Sequence, residues 1–245
     1  MELSGSVALI TGAARRVGRA IALALADEGA RVVIHYGGSA QAAEETVADI
    51  RARGSQAVAV QADLADPEST LRIIPAARAA FGRVDMLVNN ASIFEPASLA
   101  ETTAELWDRH FDVNLKAPFL LTQTLAAQLA ADGATGKIVN IVDWRALRPG
   151  ADHFAYTITK SALVAMTQST ALALAPRIQV NCVALGAILL PAGADEDYRA
   201  QLIADIPTAR MGSPEEVAQT IVFLMRHGDF ITGETILLDG GRHLV

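Results

Sequence analysis

The stretch that decides the fold lies near the start of the chain and reads Val7-Ala-Leu-Ile-Thr-Gly-Ala-Ala-Arg-Arg-Val-Gly18. Its first four residues are apolar and are typical of a short buried strand. A turn of mostly small residues leads to Gly18, and Ala and Leu then recur at helical spacing to about Glu28. A strand, a glycine turn and a helix in this order predict a dinucleotide-binding opening, because the helix N-terminus offers N–H donors to a pyrophosphate.

The alternation of apolar strands and helices continues along the chain. Six further strand-like runs lie at about 31–34, 57–61, 84–88, 137–142, 178–184 and 236–238. The pattern predicts an α/β fold, a doubly wound parallel sheet of about seven strands with helices on both faces. We expect a single Rossmann-type domain over 1–245, with a substrate loop and helix inserted at about 186–212.

Composition excludes several classes of protein. The chain has 245 residues, 51% of them hydrophobic and only 5% aromatic, so a large core built mostly from Ala, Val, Leu and Ile is expected. A formal charge of −7 argues against a nucleic-acid or anionic-membrane partner. The one cysteine, Cys182, excludes an internal disulfide scaffold, and no run is apolar enough to span a bilayer. We therefore expect a cytoplasmic protein.

Three chemically active side chains are predicted to meet at the carboxyl edge of the sheet. Asp143 ends the strand-like run at 137–142, and Tyr156 and Lys160 lie four residues apart on a predicted helix from Phe154 to Leu174. A free tyrosine has a pKa of about 10, and a lysine cation about one turn away, together with an oxidised nicotinamide, is expected to lower it. An exposed surface pair is the alternative interpretation of the Tyr–Lys spacing.

The end of the second strand bears on the choice of dinucleotide. NAD-binding sites usually place an acid here to hold the ribose 2′-hydroxyl, whereas this chain has His35-Tyr36-Gly-Gly-Ser39. Arg16, His35 and Ser39 are instead predicted to converge as donors to a 2′-phosphate, which favours NADPH over NADH. A surface turn with incidental polar groups is the alternative. Asp63 is predicted at the adenine edge, or else as a helix cap.

Two further features of the chain carry functional predictions. Asn114 lies in an apolar helical region at about 103–131, where a buried amide needs partners, so it predicts a kink, a bound water or a proton relay. The apolar, glycine-containing segment from Leu185 to Ala194 follows a strand and predicts a substrate lid.

Six motifs in order resemble the short-chain dehydrogenase/reductase family over nearly the whole chain. They are T-G-x-x-x-x-x-G at 11–18, D-L at 63–64, N-N-A at 89–91, the helix asparagine at 114, Y-x-x-x-K at 156–160 and D-G-G at 239–241. The resemblance implies a Rossmann fold, NAD(P)(H)-dependent reduction and a catalytic group that includes Tyr156 and Lys160. It also implies a homotetramer, in which Arg242 and His243 would reach a neighbouring active site.

The chain departs from the usual family pattern at the substrate side. Asp143 stands where the family usually has a serine, Ser92 follows N-N-A in place of glycine, and Arg16 lies in the glycine turn. These departures, with Phe94, look like the pteridine reductase subgroup, which includes bacterial dihydromonapterin reductases. That resemblance implies that Phe94 stacks a pterin on the nicotinamide and that Arg16 reaches both cofactor phosphate and pterin.

The predicted site is as follows. The catalytic residues are Asn114, Asp143, Tyr156 and Lys160. The cofactor contacts are Gly12, Arg16, Val17, Gly18, His35, Tyr36, Ser39, Asp63, Leu64, Asn90, Ala91, Ser92, Tyr156, Lys160 and Gly186. The substrate contacts are Arg16, Ser92, Phe94, Asp143, Tyr156 and Leu189. No metal site is predicted.

The function predicted from these residues is NADPH-dependent reduction of a pterin C=N bond, with dihydrobiopterin, dihydromonapterin or dihydrofolate as substrate. An ionised Asp143 would repel a ketone oxygen, whereas an acid–tyrosine pair can hold a proton for a ring nitrogen. Asp143 is therefore expected to be hydrogen-bonded to Tyr156 and to titrate with it as a pair. The alternatives are a carbonyl reductase of the 3-oxoacyl type and a non-catalytic NADP(H)-sensing protein.

Overall fold

The computed structural model describes residues 1–191, 193 and 195–245. Seven parallel strands form a sheet in the order β3-β2-β1-β4-β5-β6-β7. The strands are β1 (Val7–Ile10), β2 (Arg31–Tyr36), β3 (Ala57–Gln61), β4 (Met86–Asn89), β5 (Gly136–Asp143), β6 (Ile178–Leu185) and β7 (Thr235–Leu238). The chain reverses its winding direction between β1 and β4, where such sheets bind ligands. The predicted fold is confirmed.

Nine helices are found in the described residues, and they cover both faces of the sheet. They are α1 (Arg16–Asp27), α2 (Ala40–Ala52), α3 (Pro67–Leu71), α4 (Ile73–Phe81), α5 (Ala104–Phe111), α6 (Ala117–Ala131), α7 (Phe154–Leu174), α8 (Glu196–Ala204) and α9 (Pro214–His227). Helices α1, α2 and α9 pack on one face, and α3, α4, α6 and α7 pack on the other. Strands buried from both sides explain the continuous Val, Ile and Leu runs of the sequence.

Two helical regions are interrupted in the structure. The region after β3 is divided at Arg72 into α3 and α4, and its start is capped by Asp66, whose carboxylate accepts from the Glu68 and Ser69 N–H groups. The helical region expected at 103–131 contains a π-helical turn, Asp112–Lys116, between α5 and α6. This turn includes Asn114, where the sequence predicted a break in the helix, and π turns are frequent at functional sites.

The segment predicted as an inserted substrate loop and helix lies beside the carboxyl end of β6. It contains α8 and an irregular stretch before it, of which Ala192 and Ala194 lie outside the described residues. Across the described ranges, no helix has both the length and the apolarity that a bilayer crossing needs.

Candidate active site

The turn after β1 brings the backbone of two segments unusually close together. Gly12 has φ +64°, a left-handed conformation that favours glycine. A Cβ added to Gly18 would lie 2.4 Å from the Gly12 carbonyl oxygen and 2.6 Å from Asn90 Nδ2. The turn is therefore tight and free of side chains at these two positions, which is the surface that a pyrophosphate requires.

The start of α1 also fits a phosphate. In the described structure the N-cap residue, Arg15, makes no side-chain hydrogen bond to the first turn, so the helix N–H groups there are left for a ligand. The predicted residues Asn90 and Ala91 brace this turn: Asn90 Nδ2 donates to the Thr11 carbonyl at 2.8 Å, and the Ala91 N–H donates to Thr11 Oγ1 at 3.0 Å.

His35 is buried and holds the turn after β1 through a hydrogen bond to Gly12. Its side chain is 2% exposed, Nδ1 accepts the Gly12 N–H at 3.2 Å, and Nε2 donates to the Ala62 carbonyl at 3.2 Å. Burial lowers the pKa of His35 to about 4, so the ring is neutral at pH 7. The prediction that His35 donates to a 2′-phosphate is therefore wrong, because both ring nitrogens are used and the ring carries no charge.

The two arginines of the turn point to different ends of the site. The Arg15 guanidinium donates to Ser39 Oγ at the end of β2, whereas Arg16, held at φ +57°, lines the cavity around Tyr156. The structure thus corrects the sequence prediction, since Arg15 and not Arg16 accompanies Ser39. Adjacent arginines cannot be told apart by pattern, and the positive φ of Arg16, uncommon outside glycine, is what separates them.

The other predicted cofactor contacts divide into exposed and buried groups. Tyr36 is partly buried at the end of β2, and Asp63 is exposed after β3 with its carboxylate accepting the Ala65 N–H at 2.9 Å. The Leu64 side chain packs in the core, so only its backbone is available to a ligand. Gly186 approaches β7 so closely that a Cβ would lie 2.6 Å from the Asp239 Cα.

The three predicted reactive side chains converge at the carboxyl end of β5. The Tyr156 hydroxyl donates to Asp143 Oδ2 at 3.2 Å, and the Arg145 N–H donates to Asp143 Oδ1 at 2.8 Å. The Lys160 ammonium donates to the Ile141 carbonyl at 2.9 Å and is 5.7 Å from the centre of the Tyr156 ring. All three groups are held by protein partners, as preorganised proton-transfer groups must be.

Burial dominates the protonation of this group. It raises the pKa of Tyr156 well above 10, and the neighbouring Asp143 carboxylate raises it further. Burial also raises the pKa of Asp143 and lowers that of Lys160 to about 8. Burial and Asp143 thus oppose the predicted lowering of the Tyr156 pKa, and Tyr156 holds its proton at neutral pH.

Asn114 uses all four of its hydrogen-bonding positions on protein groups. Its Oδ1 accepts from the Ile93 N–H at 2.9 Å and from Ser92 Oγ at 3.1 Å, and its Nδ2 donates to the Ile93 carbonyl at 3.0 Å and Thr159 Oγ1 at 3.3 Å. A side-chain amide has two donors and two acceptor lone pairs. These contacts fix the loop that carries Phe94, and the relay water at Asn114 stays a prediction.

Phe94 lies beside Tyr156 and also stacks on His153, a contact that the sequence did not predict. Its ring meets that of Tyr156 edge-on at 4.6 Å and stacks on His153 at 4.0 Å with an interplanar angle of 11°. The His153 ring contacts Asp152 Oδ2 at 2.8 Å, and Arg145 pairs with the same carboxylate at 3.1 Å. A lone histidine before a helix gave no signal for this role, which depends on a loop conformation.

A cavity of about 270 Å³ surrounds these groups. Its wall includes the predicted substrate contacts Arg16, Ser92, Phe94, Asp143, Tyr156 and Leu189. Arg242 lines the cavity of its own chain and stacks on Trp144 at 4.8 Å, while His243 contacts Asp239 at 2.7 Å. Arg242 thus has a place in the cavity of its own chain, and a contact of these two residues with a neighbouring subunit stays a prediction. Among the described residues, no group of three or more His, Cys, Asp or Glu side chains is placed to hold a metal.

Comparison with known proteins places this site in a family. Residues 12–243 match the family model described as enoyl-(acyl carrier protein) reductase. The chain is 39% identical to a 3-oxoacyl-[acyl-carrier-protein] reductase of Synechocystis, with 98% of this chain and 97% of the relative covered. It is 36% identical to an L-rhamnose 1-dehydrogenase (NAD(P)(+)) of Sphingomonas, with 99% and 98% covered.

A solved structure is similar over the same length. The FolM alternative dihydrofolate reductase 1 of Brucella canis, complexed with NADP, superposes with a TM-score of 0.92 at 37% identity and covers 100% of this chain and 97% of its own. The NADP in that neighbour is the cofactor type that the β2 end predicts. With the sheet order and the Tyr156–Lys160 geometry, these matches establish that the chain belongs to the short-chain dehydrogenase/reductase family.

Proposed function

We propose that this protein reduces a C=N bond of a pterin with NADPH. The observation that carries the proposal is the hydrogen bond between the Tyr156 hydroxyl and Asp143 Oδ2, next to the ring of Phe94. The similarity to a FolM alternative dihydrofolate reductase supports the same chemistry. Phe94 offers a flat surface to an aromatic substrate, because stacked rings are favourable beyond the area they bury.

The Asp143–Tyr156 pair suits a ring nitrogen better than a ketone. A ketone oxygen gains negative charge during reduction and needs hydrogen-bond donors. The Asp143 carboxylate, 3.2 Å from the Tyr156 hydroxyl, would repel that charge. A ring nitrogen that accepts a proton during reduction needs a proton donor, and the Tyr156 hydroxyl, which is protonated at neutral pH, is one. The N–H groups of a pterin can also donate to the carboxylate.

The proton path follows from these contacts. The bound dihydronicotinamide supplies hydride to the carbon of the C=N bond. Tyr156 gives its proton to the adjacent nitrogen, and Asp143, whose pKa is raised by burial, returns a proton from solvent to the phenolate across their hydrogen bond. Lys160, anchored on the Ile141 carbonyl, supplies positive charge on the far side of the tyrosine ring.

NADPH is the cofactor that the residues fit. The side-chain-free turn at Gly12 and Gly18, together with the α1 N-terminus, suits the pyrophosphate. Arg15 and Ser39 at the end of β2 suit a 2′-phosphate, since guanidinium groups bind phosphate through paired charged hydrogen bonds. Tyr36, Asp63 and the Leu64 backbone are proposed contacts of the adenosine.

The test is NADPH oxidation with 7,8-dihydrobiopterin and an acetoacetyl thioester assayed side by side. We expect turnover of the pterin at a kcat/KM at least about a hundredfold above that of the thioester, the range that a correctly placed proton donor provides. Turnover of the thioester alone would overturn the pterin proposal. It would favour the second candidate, a 3-oxoacyl reductase, which the 39% identity to the Synechocystis enzyme supports.

We also propose a homotetramer. Phe119 is 44% exposed on α6, next to a surface hollow whose wall includes Phe111, Leu115 and Met166. Such an apolar patch on helices is typical of a subunit contact. Sedimentation should give four times the 25.8 kDa chain mass, and a stable monomer at micromolar concentration would contradict this assembly.

A further inference from the structure

A second, larger cavity adjoins the catalytic one. It has a volume of about 650 Å³, and its wall includes Arg145, Arg148 and Arg242 together with Trp144. Trp144, Arg145 and Arg242 also line the catalytic cavity. The two cavities therefore adjoin at Trp144, Arg145 and Arg242, next to a ligand ring that lies beside Phe94 and Tyr156.

The guanidinium groups at this boundary are held in place by Trp144. The Arg242 Cζ lies 4.8 Å from the centre of an indole ring, and the Arg145 Cζ lies 5.4 Å from it. Guanidinium planes stack on aromatic faces and still present their N–H edges to a ligand. Their side chains are 21% exposed for Arg145 and 15% for Arg242, so both are partly shielded from water.

One arginine of the second cavity has no carboxylate partner among the described residues. Asp152 pairs with Arg145 at 3.1 Å, and Asp205 reaches Arg242 at 3.9 Å. Val245 lines the same wall, and the carboxylate of this last residue is a third negative group, so the formal charges of the wall balance. Within the described ranges the contact of Arg148 is a 3.4 Å hydrogen bond to the Arg242 carbonyl, which leaves most of its donors for an anionic ligand.

We propose that this arginine-lined cavity binds an anionic group at the far end of the substrate, so that the enzyme prefers a pterin with an acidic extension over a bare one. The proposal rests on the pterin reductase function given above. Both a carboxylate and a phosphate match the donor geometry of Arg145, Arg148 and Arg242. Dihydrofolate carries carboxylates on such an extension, and dihydroneopterin triphosphate carries phosphates.

The experiment compares three pterins with the full-length protein and saturating NADPH. 7,8-Dihydrobiopterin has no anionic extension, dihydrofolate has carboxylates and dihydroneopterin triphosphate has phosphates. Arg148→Gln should lower kcat/KM about tenfold for the anionic substrate that the cavity serves, which corresponds to one charge-assisted hydrogen bond. The value for dihydrobiopterin should stay within about twofold, because Arg148 lines the second cavity and not the one around Phe94.

Two further variants make the result specific to charge at this place. Arg148→Glu should have a larger effect than Arg148→Gln, and the effect of both should shrink as salt is raised. Arg177→Gln removes an exposed arginine that lies after α7 and outside this cavity. It is the matched control and should leave kcat/KM unchanged for all three pterins.

The outcomes separate this inference from the function on which it rests. If Arg148→Gln lowers kcat/KM more for dihydrofolate, the cavity binds a carboxylate. If it lowers kcat/KM more for dihydroneopterin triphosphate, the cavity binds a phosphate. Equal effects on all three pterins, or none, with dihydrobiopterin still reduced, would overturn the anion site alone. Failure of the wild-type protein to reduce or, by calorimetry of its NADP⁺ complex, to bind any of the three would overturn both proposals.

Discussion

The two ends of the proposed active site differ in what shapes them: backbone groups at one end and side chains at the other. The cofactor end, comprising the turn after β1 and the end of β2, is shaped by backbone: tight glycines, free helix N–H groups and the buried His35 beneath them. The catalytic end, comprising the carboxyl end of β5 and the start of α7, is shaped by side chains such as Asp143, Tyr156 and Phe94. A backbone cradle suits a cofactor shared by a family, whereas side chains can vary with the substrate.

The largest effect should come from removing the acid at the catalytic end. Tyr156→Phe deletes the hydroxyl that donates to Asp143 and should lower kcat by about a hundredfold to ten-thousandfold, the usual contribution of a general acid. The Kd for NADP⁺ should stay near the wild-type value. Tyr198→Phe, which removes a hydroxyl from the same cavity wall, is the control. Near-normal turnover by Tyr156→Phe would exclude the phenol from the reaction.

The next effect concerns the pH dependence of stability at the cofactor end. His35 has a folded pKa of about 4 against 6.5 for a free histidine, so the unfolded chain binds a proton more readily between these values. The neutral His35 ring therefore contributes about 3 kcal/mol to the free energy of unfolding. This contribution is present above pH 6.5 and is lost as the pH falls toward 4.

Denaturant unfolding between pH 4 and 7.5 measures this effect. His35→Asn keeps an acceptor for the Gly12 N–H but cannot titrate, so its stability should fall less steeply than that of the wild type. His227→Asn, which removes an exposed histidine, should follow the wild-type curve. Parallel curves for His35→Asn and wild type would show that His35 is not the buried neutral group described above.

A smaller effect is expected from filling the tight turn. A Cβ at Gly18 would lie 2.4 Å from the Gly12 carbonyl oxygen, and overpacking of this kind costs about 1–3 kcal/mol. Gly18→Ala should therefore weaken NADP⁺ binding by about tenfold or more, measured by calorimetry. Gly38→Ala is the control, because its added Cβ meets no described atom within 4 Å. Equal NADP⁺ affinities of the two variants would mean that the turn can shift to accommodate the added Cβ at little cost.

The smallest effect separates the two neighbouring arginines. Arg15→Gln should lower the preference for NADPH over NADH by about tenfold, through loss of a charged hydrogen bond at the β2 end. Arg16→Gln should leave that preference unchanged and instead alter KM for the substrate, since Arg16 lines the catalytic cavity. The opposite assignment would restore the sequence-based role of Arg16.

The sequence predicted the fold well because the signals were local and repeated. Apolar runs such as Val7–Ile10 and the helical spacing after Gly18 specify strand and helix within a few residues. The meeting of Asp143, Tyr156 and Lys160 followed from their positions at a strand end and on one helix face. These inferences needed only the geometry of parallel strands and of an α-helix.

The predictions that failed concern the burial and the contacts of individual side chains, which the fold alone does not determine. His35 was predicted as a phosphate donor, yet its side chain is buried and its two ring nitrogens bond to Gly12 and Ala62. The roles of Arg15 and Arg16 depended on a positive φ, and the stacking of His153 on Phe94 depended on a loop. Burial and loop conformation arise from tertiary packing, which residue spacing does not record.

The central claim is that the carboxylate at Asp143 selects a pterin over a carbonyl. The most direct measurement is kcat/KM for 7,8-dihydrobiopterin and for an acetoacetyl thioester, in wild type and in Asp143→Ser. We predict that the wild type prefers the pterin and that the serine, which donates to a ketone oxygen, shifts the ratio toward the thioester by about a hundredfold. A wild-type enzyme that prefers the thioester, or a ratio that Asp143→Ser leaves unchanged, would contradict the claim.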